Sequence, residues 1–279
     1  VADTEVTWRG LKLGGDTGYI LNEVTGWEDR PAVTDYDTPR SRGHGDHIGD
    51  LFSRSRIVTV SGKIADASGR DAMALALQGV STVSSTIEDL TIDLLGRSLT
   101  AGGRIIQSSV AIGMNYSVGE IPFALQWKCP DPLRYGPAQA AASTGLPTSS
   151  GGMVFPMVFP MDLGTSGDSG RIVLSNSGTA PAPILATITG GLPFGYEISS
   201  GGQRLRYETG VPAGETLTLD TAEGTVLAQG TADRRANLTI ADWIQVPPLS
   251  SITLQFSSLG GAYDPAARLT VPAFRPASW

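Results

Sequence analysis

Both histidines of the chain fall in one short stretch, His44-x-Asp46-His47-x-x-Asp50, beside two carboxylates. Imidazole and carboxylate together suit zinc, iron or manganese, so a metal centre is the first chemistry this spacing suggests. Such a centre needs ligands that converge on one point, and neighbours on a loop do so only inside a rigid frame. Gly43, Gly45 and Gly49 instead give the backbone freedom. The stretch therefore reads as a solvated or interface loop, and no metal or other cofactor is expected.

Gly167-Asp168-Ser169-Gly170 copies the tetrapeptide around the serine of trypsin-like proteases. That chemistry needs a histidine base on the serine and a carboxylate behind the histidine. Both histidines lie far upstream in the loop, in no protease-like context, so a polar turn accounts for the four residues. The acidic pairs Glu28-Asp29, Glu88-Asp89 and Asp220…Glu223 read as solvated turns and strand ends rather than the two carboxylates of a glycosidase. No GxGxxG and no GxxxxGK[ST] is present, so nucleotide binding has no support. Trp127 and Trp243 could stack on sugars or bases, but their positions in alternating segments favour packing. No catalytic residue is assigned, and the chain is read as a non-enzyme.

The elements that would carry any site are short strands. With 35 Gly and 18 Pro among 279 residues, the composition favours frequent turns. Hydrophobic residues at 41% can build a core, and the length suits two modest ones. A net charge of -7 without any Lys or Arg run argues against a duplex-DNA binder. Cys129 is alone, which excludes an intrachain disulfide and a Cys-based zinc site. Asp3, Glu5, Arg9, Lys12 and Asp16 break up any signal peptide near the start, and no apolar run reaches membrane-spanning length. The expectation is a protein without membrane insertion that stays in the cytoplasm or leaves it by lysis.

Val6-Thr7-Trp8 and Tyr19-Ile20-Leu21 read as strands around a turn at Gly14-Gly15-Asp16. From Glu28 to Phe52 runs a polar stretch with no helical or strand period, a length that is usually functional or ordered against a partner. Val58, Val60, Gly62 and Ile64 then alternate with Thr59, Ser61 and Lys63 as a half-buried strand. Ser68-Gly69-Arg70-Asp71 has capping-box form, followed by Met73, Ala76, Leu77 and Val80 at helical spacing, with Gly79 as a left-handed stop. Leu90, Ile92 and Leu94 resume the two-residue period, Gly102-Gly103 suggests a hairpin turn, and Ile121, Phe123, Leu125 and Trp127 line a further strand.

Residues 136–150 are almost wholly Ala, Gly, Ser, Thr and Pro and read as a linker. Met153-Val154-Phe155-Pro156 is repeated at once as Met157-Val158-Phe159-Pro160, an extended segment at a sheet edge. Beyond Gly164 the rhythm is β throughout: Ile172 and Leu174, then Ile184, Ala186 and Ile188, then Leu217 and Leu219, Leu238 and Ile240, and Ile252, Leu254 and Phe256. The fold class is mainly β: an N-terminal β-barrel or sheet with one helix over 1–135, the linker, and an antiparallel β-sandwich over 151–279.

Several segments resemble the distal tail proteins of siphophages. They are the loop from Arg42 to Gly49 before the strand at Arg56, Asp131-Pro132-Leu133-Arg134-Tyr135-Gly136, and Gly151-Gly152 with the Phe-Pro repeat. Asn176-x-Gly178 with Pro183, the run from Glu215 to Asp220, and Trp243…Pro247-Pro248 complete the series. The turn after Pro248 departs from the family, which commonly has Gly and Asn where this chain has Leu249-Ser250-Ser251.

The resemblance implies an N-terminal belt domain and a galectin-like C-terminal sandwich. It implies a structural, non-enzymatic hub subunit of the virion, made in the host cytoplasm, that joins the tail tube to the tip or baseplate. A homohexameric ring would contact the tail tube protein, the tape-measure protein, the tail-tip hub protein and receptor-binding proteins. Viral DNA would pass through the lumen without specific binding. Ring closure requires head-to-tail contacts. Arg40, Arg42, His44, Asp46, His47, Asp50 and Arg54 are the expected subunit-interface residues, with arginines pairing to carboxylates of a neighbour. The alternative is a carbohydrate-binding module facing the host surface, which needs an open groove with exposed aromatics.

Overall fold

The computed structural model describes residues 4–66, 68–114, 116, 119–147 and 167–279. The chain divides into two compact units, Val1–Pro137 with Trp279, and Ala138–Ser278. The doubled Met-Val-Phe-Pro segment lies outside the described residues.

In the first unit one antiparallel sheet runs in the order Leu11–Gly14, Glu5–Trp8, Glu88–Leu94, Arg97–Val110, Ile121–Cys129, Arg56–Ile64, Tyr19–Thr25. Arg97–Val110 turns the corner. Its first half pairs with Glu88–Leu94 and its second with Ile121–Cys129, with a register shift between Ile105 and Gln107. Bulges of this kind sharpen local twist. The two ends of the sheet approach each other where a Cβ on Gly14 would stand 2.9 Å from Leu21 Cδ1, but among the described residues no ladder closes them into a barrel.

The concave side holds the core: Val6, Trp8, Leu13, Val58, Val60, Leu90, Ile92, Phe123, Leu125 and Trp127 are all buried. Trp8 and Trp127 meet edge to face at 5.9 Å. Burial along Arg56–Ile64 and Ile121–Cys129 alternates residue by residue, as the two-residue period requires.

The helix spans Arg70–Val80 and buries Leu77, with Met73, Ala74 and Val80 packed on the core. Its caps differ from the expected ones. Gly69 is the N-cap and no side chain caps the N-terminus. Ser68 instead donates through its N and Oγ to Asp66, and Asp71 accepts from the Tyr116 hydroxyl. Gly79 lies inside the helix, whose last carbonyls are met by other donors. Trp8 Nε1 reaches Val80 O at 3.0 Å, and Arg9 binds the same oxygen.

Gly102-Gly103 is not a turn. Both residues sit within Arg97–Val110, and a Cβ on Gly103 would come 2.8 Å from Cys129 Sγ. The turn before that strand is Leu95-Gly96, both at positive φ.

The second unit is two antiparallel sheets. One runs Ala142–Gly145, Arg268–Val271, Leu185–Thr189, Thr216–Asp220, Thr225–Ala228, Ala232–Asp233. The other runs Arg171–Asn176, Ser250–Ser258, Tyr196–Ser200, Gln203–Tyr207, Leu238–Ala241. Ile172, Leu174, Ile184, Ala186, Ile188, Leu217, Leu219, Leu254 and Phe256 face the core. Leu238, Ile240 and Ile252 are only half-buried. Ala142–Gly145 falls inside the stretch expected as linker, yet it pairs in register with Arg268–Val271, so this part of the stretch is a strand.

Buried Asn176 ties this unit together. Its amide donates to the carbonyls of Ala180, Val246 and Pro247, and its Oδ1 accepts from Gly178 N and Ala277 N. Leu249, in the turn after Pro248, takes φ +51, the left-handed region that favours Gly or Asn.

Candidate functional site: a hairpin arm and its neck

Between Tyr19–Thr25 and Arg56–Ile64 the chain makes an excursion that the sequence shows only as a polar stretch. Two short ribbons lie in series: Val33–Asp35 pairs with Leu51–Ser53, and Thr38–Pro39 with Asp46–His47. Tyr36 N to Asp50 O (3.2 Å), Gly49 N to Asp37 Oδ1 (2.8 Å) and Arg40 N to Gly45 O (3.2 Å) continue the ladder to the tip. The base is held by Arg54 N on Ala32 O at 2.7 Å and Arg54 Nε on Thr34 Oγ1 at 2.6 Å. At strand rise the hairpin is roughly 30 Å long.

From Ala32 to Arg54 every residue is exposed or half-buried. That includes Tyr36 (62% exposed), Ile48 (92%), Leu51 (65%) and Phe52 (58%). Tyr36 and Phe52 touch edge to face at 6.0 Å on one side of the ribbon. A lone two-stranded hairpin is marginal in water, and this one leaves Tyr36 and Phe52 exposed on one face and Leu51 on the other.

Every residue expected at the interface lies on this arm. Arg40, Arg42 and His44 form the tip, where Gly43 and Gly45 have positive φ. Asp46 and His47 are consecutive strand residues, so their side chains leave opposite faces. Asp50 sits opposite Tyr36, and Arg54 closes the base. The alternating faces spread the two histidines and two carboxylates apart, and among the described residues no group of three His, Cys, Asp or Glu could hold a metal. Among the described residues the ion pairs of this unit lie elsewhere: Arg9–Glu88, Lys12–Glu5, Lys63–Glu120, Arg70–Asp71, and Glu28 with both Arg97 and Arg134.

Sequence reading missed the neck. Arg56 is 1% exposed and fans out over four carbonyls: Nη1 to Gly26, Trp27 and Asp29 at 2.7–2.8 Å, and Nε to Pro132 at 3.0 Å. It thereby locks the entry of the arm to its exit. Burial, with the nearby Arg134 charge, lowers the guanidinium pKa to about 10, so it remains a cation at neutral pH.

Gly26 at φ +76 is obligatory here, because a Cβ would stand 1.9 Å from Ile57 O. Arg134, also buried, pairs with Glu28 at 2.7 Å and lies 5.5 Å over Trp27. The Asp-Pro segment has a matching local role. Asp131 accepts from Leu133 N and the Tyr135 hydroxyl, which presents Pro132 O to Arg56. A signal for the neck was available, since Arg56 is in phase with Val58 and Val60 and so points inward.

The remaining motifs build no site. Ser169 Oγ accepts from Arg171 N at 3.3 Å as a local turn, and Asp168 faces Arg268 at 3.9 Å. Trp127, Tyr196 and Tyr207 are buried, the two tyrosines stacked at 5.3 Å. Trp243 is half-buried with Arg235 over its ring at 5.5 Å. A shallow groove of about 420 Å³ on the second unit is lined by Arg171, Ser199, Ser200, Thr253 and Gln255 and by the Gly201-Gly202 turn, with no aromatic among them.

No family model matches the chain, and no curated protein matches it. Solved structures do. Phage P2 baseplate in its activated conformation with Ca aligns over 91% of this chain and 97% of that one, at 8% identity and a TM-score of 0.44. SPP1 Dit (gp 19.1), a paradigm of the hub adsorption apparatus in phages infecting Gram-positive bacteria, aligns over 98% of each chain at 16% identity and a TM-score of 0.63. This chain therefore has, from end to end, the fold of the SPP1 Dit protein.

Proposed function

We propose that the chain is a distal tail protein: a structural, non-enzymatic hub subunit of a phage tail tip that joins the tail tube to the adsorption apparatus. The observation that carries this reading is the end-to-end match to SPP1 Dit across both units. The order of the siphophage-like segments in the sequence supports it, as does an exposed arm that leaves Tyr36, Ile48, Leu51 and Phe52 uncovered. In this reading six copies form a ring in the virion through head-to-tail contacts, assembled in the host cytoplasm. The tail tube, tape-measure, tail-tip hub and receptor-binding proteins dock around it, and DNA passes through the lumen unbound. The second unit serves as a galectin-like docking platform. Buried Tyr196 and Tyr207 and the lack of aromatics in its polar groove count against glycan capture. No helix among the described residues is long and apolar enough to cross a membrane.

The arm is the proposed clasp, with Tyr36, Ile48, Leu51 and Phe52 covered by the neighbour and Arg40, Arg42 and Arg54 meeting its carboxylates. The test of the whole reading is the particle mass by light scattering, with negative-stain images of the same peak. A ring of about six 29.1 kDa subunits is expected. A protein that stays monomeric at every concentration and also fails to assemble on its tail tube sinks the reading. For the clasp, Arg40→Glu with Arg42→Glu should abolish ring closure without lowering the melting temperature; rings of normal yield would show that the tip charges are idle.

A further inference from the structure

One sheet of the second unit carries a row of paired polar residues on its outward face. Arg171 lies opposite Gln255, Gln255 opposite Ser199, and Ser199 opposite Arg204, so the row crosses four neighbouring strands. The adjoining residues Ile172, Leu254, Ile198 and Leu205 are buried, which turns the row itself away from the core. At strand spacing the Cα atoms of the two arginines stand roughly 14 Å apart. The groove of about 420 Å³ lies along this row, with Ser200, Thr253 and the Gly201-Gly202 turn among its walls.

Donors dominate the lining. Arg171 Nε donates to Gln255 Oε1 at 2.9 Å, and Gln255 is itself oriented by Nε2, which donates to Gly170 O and Phe256 O at 3.2 Å. The guanidinium is thereby held in place, while its two Nη atoms have no partner among the described residues. The hydroxyls of Ser199, Ser200 and Thr253 and the N–H groups of Gly201 and Gly202 have none either. Both glycines take positive φ, and a Cβ on either would meet nothing within 4 Å, so the turn leaves the groove uncovered.

No carboxylate lines the groove. The two that border the row are engaged: Glu197 faces Arg206 at 3.9 Å, and Asp242 accepts from Arg204 N at 2.9 Å. Among the described residues Arg206 and Arg268 have ion-pair partners, but Arg171 and Arg204 have none. In a chain of net charge -7, two cations and several free donors thus face solvent together with no acidic group between them.

We propose that the groove binds a polyol phosphate. The free Nη atoms of Arg171 take two phosphate oxygens as a fork, and Arg204 adds charge at the far end of the row. The hydroxyls of Ser199, Ser200 and Thr253, which donate and accept alike, meet the hydroxyls of the polyol. Two features favour this class over a neutral glycan or a bare anion. With no aromatic for a sugar ring to stack on, affinity has to come from charge. The groove also has room beyond a phosphate for the polyol that carries it. The proposal does not depend on ring formation and goes beyond the docking role of the second unit.

A ligand-observed NMR titration of the full chain with glycerol phosphate, inorganic phosphate and glycerol tests it. Glycerol phosphate should bind saturably with a dissociation constant of about 1 mM, inorganic phosphate more weakly, and glycerol not at all. Added salt should weaken the binding. Arg171→Gln should weaken glycerol phosphate about tenfold or more with an unchanged melting temperature. Ser199→Ala with Thr253→Val should lower its affinity to that of inorganic phosphate. Arg234→Gln removes an exposed arginine outside the groove and should change nothing. Absence of saturable binding overturns the proposal. So does a loss from Arg234→Gln equal to that from Arg171→Gln, which would mark diffuse charge attraction. Equal affinity of wild type for the two phosphates overturns the polyol and assigns the groove to free phosphate.

Discussion

Replacing Arg56 by methionine keeps the unbranched stem of the side chain and removes the guanidinium that holds the neck of the arm. Four carbonyls lose a charge-assisted partner at 2.7–3.0 Å. A buried acceptor left unpaired costs about 1–3 kcal/mol, and all but the buried Trp27 carbonyl lie in part-buried bonds where water can return. Two effects oppose the loss. The guanidinium is buried beside a second cation, Arg134, and its own Nη2 has no partner. Methionine removes both penalties, so the net destabilisation should be about 3 kcal/mol. For a unit of this size that is roughly a 10 °C drop in melting temperature. Calorimetry of the full chain measures the drop, and hydrogen exchange locates it: amides of residues 26–29 and 133–135 should lose protection while those of Ile121–Cys129 keep it. Arg56→Lys should fall between, because one ammonium cannot span four acceptors set in a fork. A methionine variant that melts within a degree or two of wild type, with residues 26–29 equally protected, would refute the neck as the arm's anchor.

Leu249 holds φ +51 while 75% exposed, so Leu249→Asn should relieve backbone strain at little packing cost and stabilise by about 1 kcal/mol in chemical denaturation; a loss of stability would show that its side chain matters. Asn176 donates to three carbonyls and accepts from two N–H groups. Asn176→Leu should cost about 3 kcal/mol, and Asn176→Asp should be no better, since a carboxylate faces three carbonyls; an aspartate variant of wild-type stability contradicts the donor assignment. Burial raises the Cys129 thiol from 9.0 to about 11. The folded state therefore favours the neutral thiol, and this contribution is complete below pH 9 and lost as pH rises through about 11. Melts between pH 7 and 11 should accordingly decline more steeply for wild type than for Cys129→Ala, and parallel curves would argue against a thiol held in apolar surroundings.

The legible parts of the fold are those where one chain completes its own packing. Val58, Val60, Phe123, Leu125 and Trp127 alternate because one face of each strand meets a core, and the helix shows because Leu77 must be buried there. The arm has no such face within its unit. Its strands are two or three residues long, so no period can emerge from Val33–Asp35 or Asp46–His47. The misread glycines follow the same logic. Gly102-Gly103 looks like a turn, but the pair is small because Ile87 and Cys129 press on it. Ala142–Gly145 looks like a linker, since an edge strand covered by Arg268–Val271 needs only small residues.

Arg56 shows how a charged residue can be read from phase alone. A cation in register with buried valines either ends the strand or binds something buried, and the acceptors nearest a strand end are the carbonyls of the adjoining turns. Two chain reversals meet at that point, residues 26–29 and 131–135, and both leave carbonyls that no ladder satisfies. One arginine pairs with both sets, which couples the start of the arm to the segment that ends the unit. The Asp-Pro…Tyr segment is thus tied to the arm by physics: Asp131 and Tyr135 shape the turn, Pro132 supplies the oxygen, and Arg56 carries the connection to residues 26–29. A change in any of these four should move the base of the arm, even though none of them lies on it.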